Sequence, residues 1–217
     1  MATLDAFPSI TESEFVKACR ALEMRSLDRL DGTDWTSIRW SGDELVIKQR
    51  RRVNDGDREV CNGNPKEEDG DEENMDPIEE ACHDTLVRGR DDFGALTIDF
   101  SITLSPTYCV PVLWFSCPPI VDGKVFSLDQ VYRILVPLAF QQSLRSVGVM
   151  GGISMAHHPV SDHPAFFVHP CNTHEALSAL CTDKSLTPER YLILWLGLIG
   201  SSVGLHIPSK LFETDGS

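Results

Sequence analysis

The sequence predicts an α+β fold, an antiparallel sheet with its helices segregated to one side. Three features carry that expectation. The pattern Thr11-x-x-Glu14 is a capping box that opens an amphipathic helix near the start of the chain. Leu96, Ile98, Phe100, Ile102 and Leu104 alternate with Thr97, Asp99, Ser101 and Thr103, the period of a half-buried strand. Helical patterns return only beyond Ser127, so the order is helix, then strands, then helices. With 217 residues, 41% of them hydrophobic, the chain can form a single domain over 1–217 with a buried core and room for a sizeable insertion.

The leading helix carries Phe15, Cys19, Leu22 and Leu30 at near-helical spacing. Trp35, Ile38 and Trp40, a Ser41-Gly42-Asp43 turn, and Leu45-Val46-Ile47 read as a hairpin. Composition then shifts. From Asn54 to Asp92 the chain is rich in Gly, Asn and Pro and gathers Glu67, Glu68, Asp69, Asp71, Glu72 and Glu73, so 54–92 is expected to be a disordered acidic loop insertion. It is either solvated filler or a tether for a basic partner. After the alternating strand, Ser105-Pro106-Thr107 marks a turn and Tyr108 to Phe115 the next strand. Pro111 within it lacks an amide donor and should face an edge or a bulge. Asp122-Gly123 is another turn. Ser127-x-x-Gln130 caps a helix over Leu128 to Gln142 that Pro137 bends or divides. Pro164 to Val168 is an apolar strand, a short helix follows near His174 to Cys181, and Thr187-Pro188 starts the last long helix.

The formal charge of −14 argues against nucleic acid or an anionic membrane as a partner, since both select for Lys/Arg patches. Tyr191 to Ile207 is nearly uncharged. It falls short of about 20 consecutive apolar residues, and Gly200-Ser201-Ser202 interrupts it, so it reads as a buried helix followed by a short strand or loop. The seven cysteines form no C-x-x-C pair and no signal peptide is evident, which points to free thiols in a reducing cytosol.

The most informative tripeptide is His169-Pro170-Cys171. A hydrophobic strand delivers a rigid turn that carries a thiol, the side chain that attacks acyl carbons most readily near neutral pH. Four readings compete. Cys171 could be a small buried hydrophobe, as most cysteines are. The histidines at 157, 158, 163, 169 and 174 could suggest zinc, yet the spacings of a zinc site are missing, and the upstream ones read as loop residues with Pro159 and Pro164 fixing the approach to the strand. A cysteine hydrolase would pair the thiol with a base and an orienting group, but no local hydrolase signature is present. An acyl relay needs an accessible thiol and donors for the oxyanion, and no strong general base.

The succession Tyr108-Cys109-Val110-Pro111-Val112-Leu113-Trp114-Phe115, Asp122-Gly123, His158-Pro159 and Phe166-Phe167-Val168-His169-Pro170-Cys171-Asn172-Thr173 resembles the autophagy-related protein 10 family of atypical ubiquitin-conjugating enzymes. So does the tail from Tyr191 through Trp195 to Val203-Gly204-Leu205-His206-Ile207-Pro208. The resemblance implies a ubiquitin-conjugating-enzyme-like core without cofactor or metal. It implies that Cys171 accepts a ubiquitin-like modifier, autophagy-related protein 12, as a thioester from the activating enzyme, autophagy-related protein 7. The acceptor would be a lysine of autophagy-related protein 5, and the setting the cytoplasm, open to recruitment to the pre-autophagosomal site.

Ordinary ubiquitin-conjugating enzymes place His-Pro-Asn before the cysteine. Here the tripeptide is His-Pro-Cys, so the usual oxyanion asparagine is missing. Asn172 is the sole asparagine outside residues 54–74. The expected catalytic set is Cys171, His169 and Tyr108, with Asn172 as a further candidate. The lipid-conjugating sister, autophagy-related protein 3, shares His-Pro-Cys and a long acidic insertion. Its membrane-sensing N-terminal helix is poorly matched by residues 1–10, which have no basic residue and contain Pro8. A non-catalytic adaptor is the remaining alternative.

Overall fold

The computed structural model describes residues 3–52, 95–117, 126–146, 152–181 and 186–212. Helix α1 spans Glu12–Ser26. The Thr11 hydroxyl accepts the Glu14 amide and the Glu14 carboxylate accepts the Thr11 amide, closing the capping box. Burial by itself would raise the Glu14 pKa. The hydrogen bonds from Thr11 and from the Asp5 amide, with Lys17 nearby, together hold it below the usual carboxylate value. Phe15, Ala18, Cys19 and Leu22 form the buried stripe. Leu30, expected on the same stripe, lies beyond the helix. The Ser26 hydroxyl bonds back to the Glu23 carbonyl at 2.6 Å and Asp28 turns left-handed at φ 62°, so the chain leaves the helix before Leu30 packs against the core.

Among the described residues six strands form one antiparallel sheet in the order β1-β2-β3-β4-β6-β5. They are β1 (Trp35–Trp40), β2 (Leu45–Arg52), β3 (Ala95–Leu104), β4 (Pro111–Ser116), β5 (Ile153–His157) and β6 (Pro164–Val168). The predicted hairpin and the alternating strand are both present. Ile47 opposes Phe100 and Phe100 opposes Phe115, while Ile102 opposes Leu113; these rows lie on the core face. Val46, Ser101, Trp114 and Phe167 share the other face by the same register.

Two expectations are corrected. Tyr108 and Cys109 are not in β4. The Cys109 amide bonds to the Ser105 carbonyl at 2.9 Å and Cys109 sits at φ 51°, so both residues belong to the preceding turn. Pro111 is then the first residue of β4, opposite Leu104, and pairing with β6 begins only at Trp114, so its missing N–H breaks no ladder. The upstream histidines, expected in a loop, are divided: His157 ends β5 and His163 sits in the turn between β5 and β6. The 54–92 insertion and the Asp122-Gly123 turn lie outside the described residues.

Pro137 does divide the next helical region, giving α2 (Leu128–Ile134) and α3 (Leu138–Ser146). Helix α4 covers Thr173–Leu180 and α5 covers Pro188–Ile199. Tyr191, Leu192, Trp195 and Leu196 of α5 are buried in one cluster with Phe15 and Leu22 of α1 and the core face of the sheet. Removing such a side chain from water is worth about 1.5–3 kcal/mol each. After α5 a 3₁₀ turn, Gly200–Val203, ends at Gly204, in place of a strand or an irregular loop. Among the described residues no helix is long and apolar enough to cross a membrane.

Arg51 ties this turn to the sheet. From β2 its guanidinium donates to the carbonyls of Ile134 and Leu135, each at 3.2 Å, and to Gly204 at 2.8 Å. Gly204 is left-handed at φ 71°, and a Cβ there would collide with the guanidinium. Gly204→Ala is therefore expected to lose roughly 1–3 kcal/mol of stability. A melting curve checks it, at about 2–4 °C per kcal/mol for a chain of this size.

Candidate active site

Strand β6 pairs with β4 on one side and β5 on the other, so its end is fixed from both directions. Phe166 and Val168 are buried in the core. The next amide, His169, still donates to the Gly152 carbonyl at 3.1 Å and carries the β5 side one bond further. Pro170 then opens a 3₁₀ turn, Pro170–Asn172, where its fixed φ suits the first helical position and its absent N–H is not needed. Cys171 is the middle residue of that turn, half-buried and in no disulfide. The turn runs directly into α4, which Thr173 and Leu177 anchor in the core.

His169 acts as the cap of this turn. Its Nδ1 accepts the Cys171 amide at 3.2 Å. A ring nitrogen that accepts an amide hydrogen carries no proton, so the neutral imidazole must carry its proton on Nε2. The His169 ring meets Tyr108 edge-on with centroids 6.0 Å apart, and lies 6.1 Å from Phe167. Tyr108 is 37% exposed, and its loop is held by its own amide bonding to Ser105 Oγ at 3.2 Å. Asn172 occupies the cap position of α4, exposed, with no capping bond from its side chain.

The predicted residues thus come together to different degrees. Cys171 and His169 share a hydrogen bond, Tyr108 joins through a ring contact, and Asn172 is near by chain adjacency alone. Chemically, the group offers a half-buried thiol on a rigid turn and, two residues before it, an imidazole that keeps an N–H.

Sequence reasoning overlooked His158, although His158-Pro159 was visible. It is 5% exposed and packs over the sheet face opposite the core, 5.2 Å from the Trp114 ring. Its Nδ1 accepts the amides of Val160 (3.3 Å) and Ser161 (3.2 Å), and its Nε2 lies 3.0 Å from Ser101 Oγ. Ser101 in turn donates to Glu44. Ser, His and Glu are the side chains of a hydrolytic triad, but the wiring is reversed. The proton of His158 is on Nε2, so the imidazole donates toward the hydroxyl and cannot take its proton. This is a bracing network. Among the described residues no group of three or more His, Cys, Asp or Glu side chains could hold a metal ion.

The fold matches a solved structure described as the crystal structure of autophagic E2, Atg10, with a TM-score of 0.52 at 14% identity, over 91% of this chain and 99% of that one. Residues 14–210 match the family Autophagocytosis associated protein, active-site domain. The chain is 32% identical to the ubiquitin-like-conjugating enzyme ATG10 of Gibberella zeae, covering 96% of this chain and 98% of that protein. It is 27% identical to human ATG10 over about half of each chain, 51% and 50%. Fold and sequence together define a ubiquitin-like-conjugating enzyme, hence a transferase. Within that class the chain belongs to the autophagocytosis-associated, ATG10-type family.

Burial pulls the His158 pKa below its ordinary value of 6.5, against an opposing push from Glu44. The unfolded chain therefore binds the proton first, and stability drains away as pH falls below 6.5. His158→Asn keeps an acceptor for the two amides and removes the titration. Its melting temperature is expected to fall less steeply with acid than that of the wild type, measured by thermal melts across pH.

Proposed function

We propose that Cys171 carries the ubiquitin-like modifier autophagy-related protein 12 as a thioester. The Cys171 sulfur attacks the thioester carbonyl of the modifier held on the activating enzyme, autophagy-related protein 7. The carbon–sulfur bond to Cys171 forms as the one to the activating enzyme's cysteine breaks, and the Cys171 thiol proton passes to the departing sulfur or to solvent. A lysine amine of autophagy-related protein 5 then attacks the same carbonyl. An isopeptide bond forms, the Cys171 sulfur leaves, and the amine's proton passes to the thiolate or to solvent. No cofactor or metal takes part on the conjugating enzyme, and the reaction is placed in the cytoplasm.

The hydrogen bond from the Cys171 amide to His169 Nδ1 is the observation that supports this reading. It aligns the thiol's turn and leaves Nε2–H of His169 as a donor for the negative charge that builds on the carbonyl oxygen. Such a donor is worth about 2.7–4 kcal/mol of barrier. Tyr108 supports the ring and supplies a hydroxyl, and Asn172 offers a further amide beside the thiol. This assignment fills the place of the missing His-Pro-Asn asparagine with groups already present around Cys171.

The test mixes the chain with activating enzyme, ATP and modifier and reads a non-reducing gel. A thiol-sensitive adduct is expected with the wild type and none with Cys171→Ala; an adduct that survives that substitution defeats the proposal. His169→Asn separates the two roles of the imidazole, since an Asn oxygen can still cap the turn while the Nε2–H is lost. That variant is expected to melt near the wild type and to transfer roughly 100-fold more slowly.

A further inference from the structure

The segment ahead of α1 runs beside the candidate active site and is fastened before it gets there. Leu4 and Ile10 are buried, and the Leu4 amide donates to the Leu186 carbonyl at 2.9 Å. The Tyr191 hydroxyl donates to the Pro8 carbonyl at 2.8 Å, and the Phe7 ring meets Tyr191 edge-on at 6.3 Å. Burial, with Glu14 adding to it, raises the Tyr191 pKa far above the physiological range, so this donor keeps its proton.

The next two residues reach both walls of the site. Ser9 Oγ lies 3.2 Å from Nε2 of His174, which stands in α4 one turn after Cys171. The Ile10 amide donates at 2.9 Å to the carbonyl of Cys109, the residue after Tyr108. One dipeptide therefore links α4, into which the thiol's turn runs, to the loop that carries Tyr108. Sheet pairing does not make this link. The Tyr108 loop precedes β4, and the β4–β6 ladder begins only at Trp114. Across the site the same two walls meet at the edge-on contact of Tyr108 with His169.

The geometry points to Ser9 as a positioning residue for conjugation. Through His174, and with Ile10 acting on Cys109, it sets the spacing between α4, which continues the thiol's turn, and the Tyr108 loop. That spacing fixes the His169 ring against Tyr108, and with it the direction of the Nε2–H donor. The inference deepens the proposed function and rests on Cys171 carrying the modifier with His169 as donor. Ser9 acts through its hydroxyl on His174. Its side chain contributes only one hydroxyl on an already anchored segment, so its loss should leave the fold in place.

The experiment compares full-length wild type, Ser9→Ala and Ser9→Thr in three measurements. These are single-turnover discharge of the charged enzyme to free lysine, the ¹⁵N resonances of His169, and thermal melting. Ser9→Ala is expected to discharge three- to tenfold more slowly, to shift the His169 resonances and to melt within about 2 °C of the wild type, a change well below a typical core lesion. Ser9→Thr, which keeps the hydroxyl, should discharge within twofold of the wild type. The inference is overturned if Ser9→Ala discharges normally, if Ser9→Thr is as slow as Ser9→Ala, or if the loss follows a general fall in melting temperature. A wild type that never charges would defeat the proposed function instead. The His169 resonances would then decide the positioning role alone: a shift in Ser9→Ala supports it and unmoved resonances overturn it.

Discussion

The arrangement of the site depends on one hydrogen bond, from the Cys171 amide to His169 Nδ1. It spans the point where a strand held on both sides becomes a helical turn. On the strand side the chain is fixed by β4 and β5 and by the buried side chains of Phe166 and Val168. On the helix side Thr173 and Leu177 are anchored in the core. Without the bond, the first amide of the turn would lose its side-chain cap. The same bond decides the tautomer of His169, so the geometry of the turn and the chemistry of the imidazole are a single fact.

Among the described residues this device appears twice. His158-Pro159 and His169-Pro170 each place an imidazole Nδ1 over backbone amides two or three residues on, much as an Asn or Asp side chain caps a turn. Both rings therefore keep their proton on Nε2. His158 directs that proton into the half-buried Ser101–Glu44 pair, and its turn is braced against Trp114. His169 lies between two aromatic rings, two residues before a half-buried thiol. What surrounds Nε2 separates a structural histidine from a candidate catalytic one. The His-Pro dipeptide is common to both.

Much of this was legible in the sequence because it rests on local rules. Thr11 and Glu14, Ser127 and Gln130, and Thr187-Pro188 mark helix starts by hydrogen bonds that span three residues. The β3 alternation survives because one face is core and the other is not. Pro137 divided its helix for want of an N–H. The failures are non-local. Strand β5 has five residues, three of them exposed, and forms only because β6 offers a ladder. Tyr108 looked like strand because its neighbours are apolar, while the left-handed Cys109 that removes it from β4 leaves no trace in composition. Ser9 lies 165 residues from His174, and no periodicity connects them.

The central claim is that the modifier's C-terminal carbonyl is bonded to the sulfur of Cys171. Charging the full-length protein with activating enzyme, ATP and modifier, then digesting at low pH without reductant and mapping peptides by mass, reads that bond directly. The account predicts the modifier's C-terminal fragment on the peptide that contains Cys171, released by thiol or hydroxylamine. The fragment on the exposed Cys109 instead, or a charged protein whose Cys171 remains open to alkylation, would contradict it.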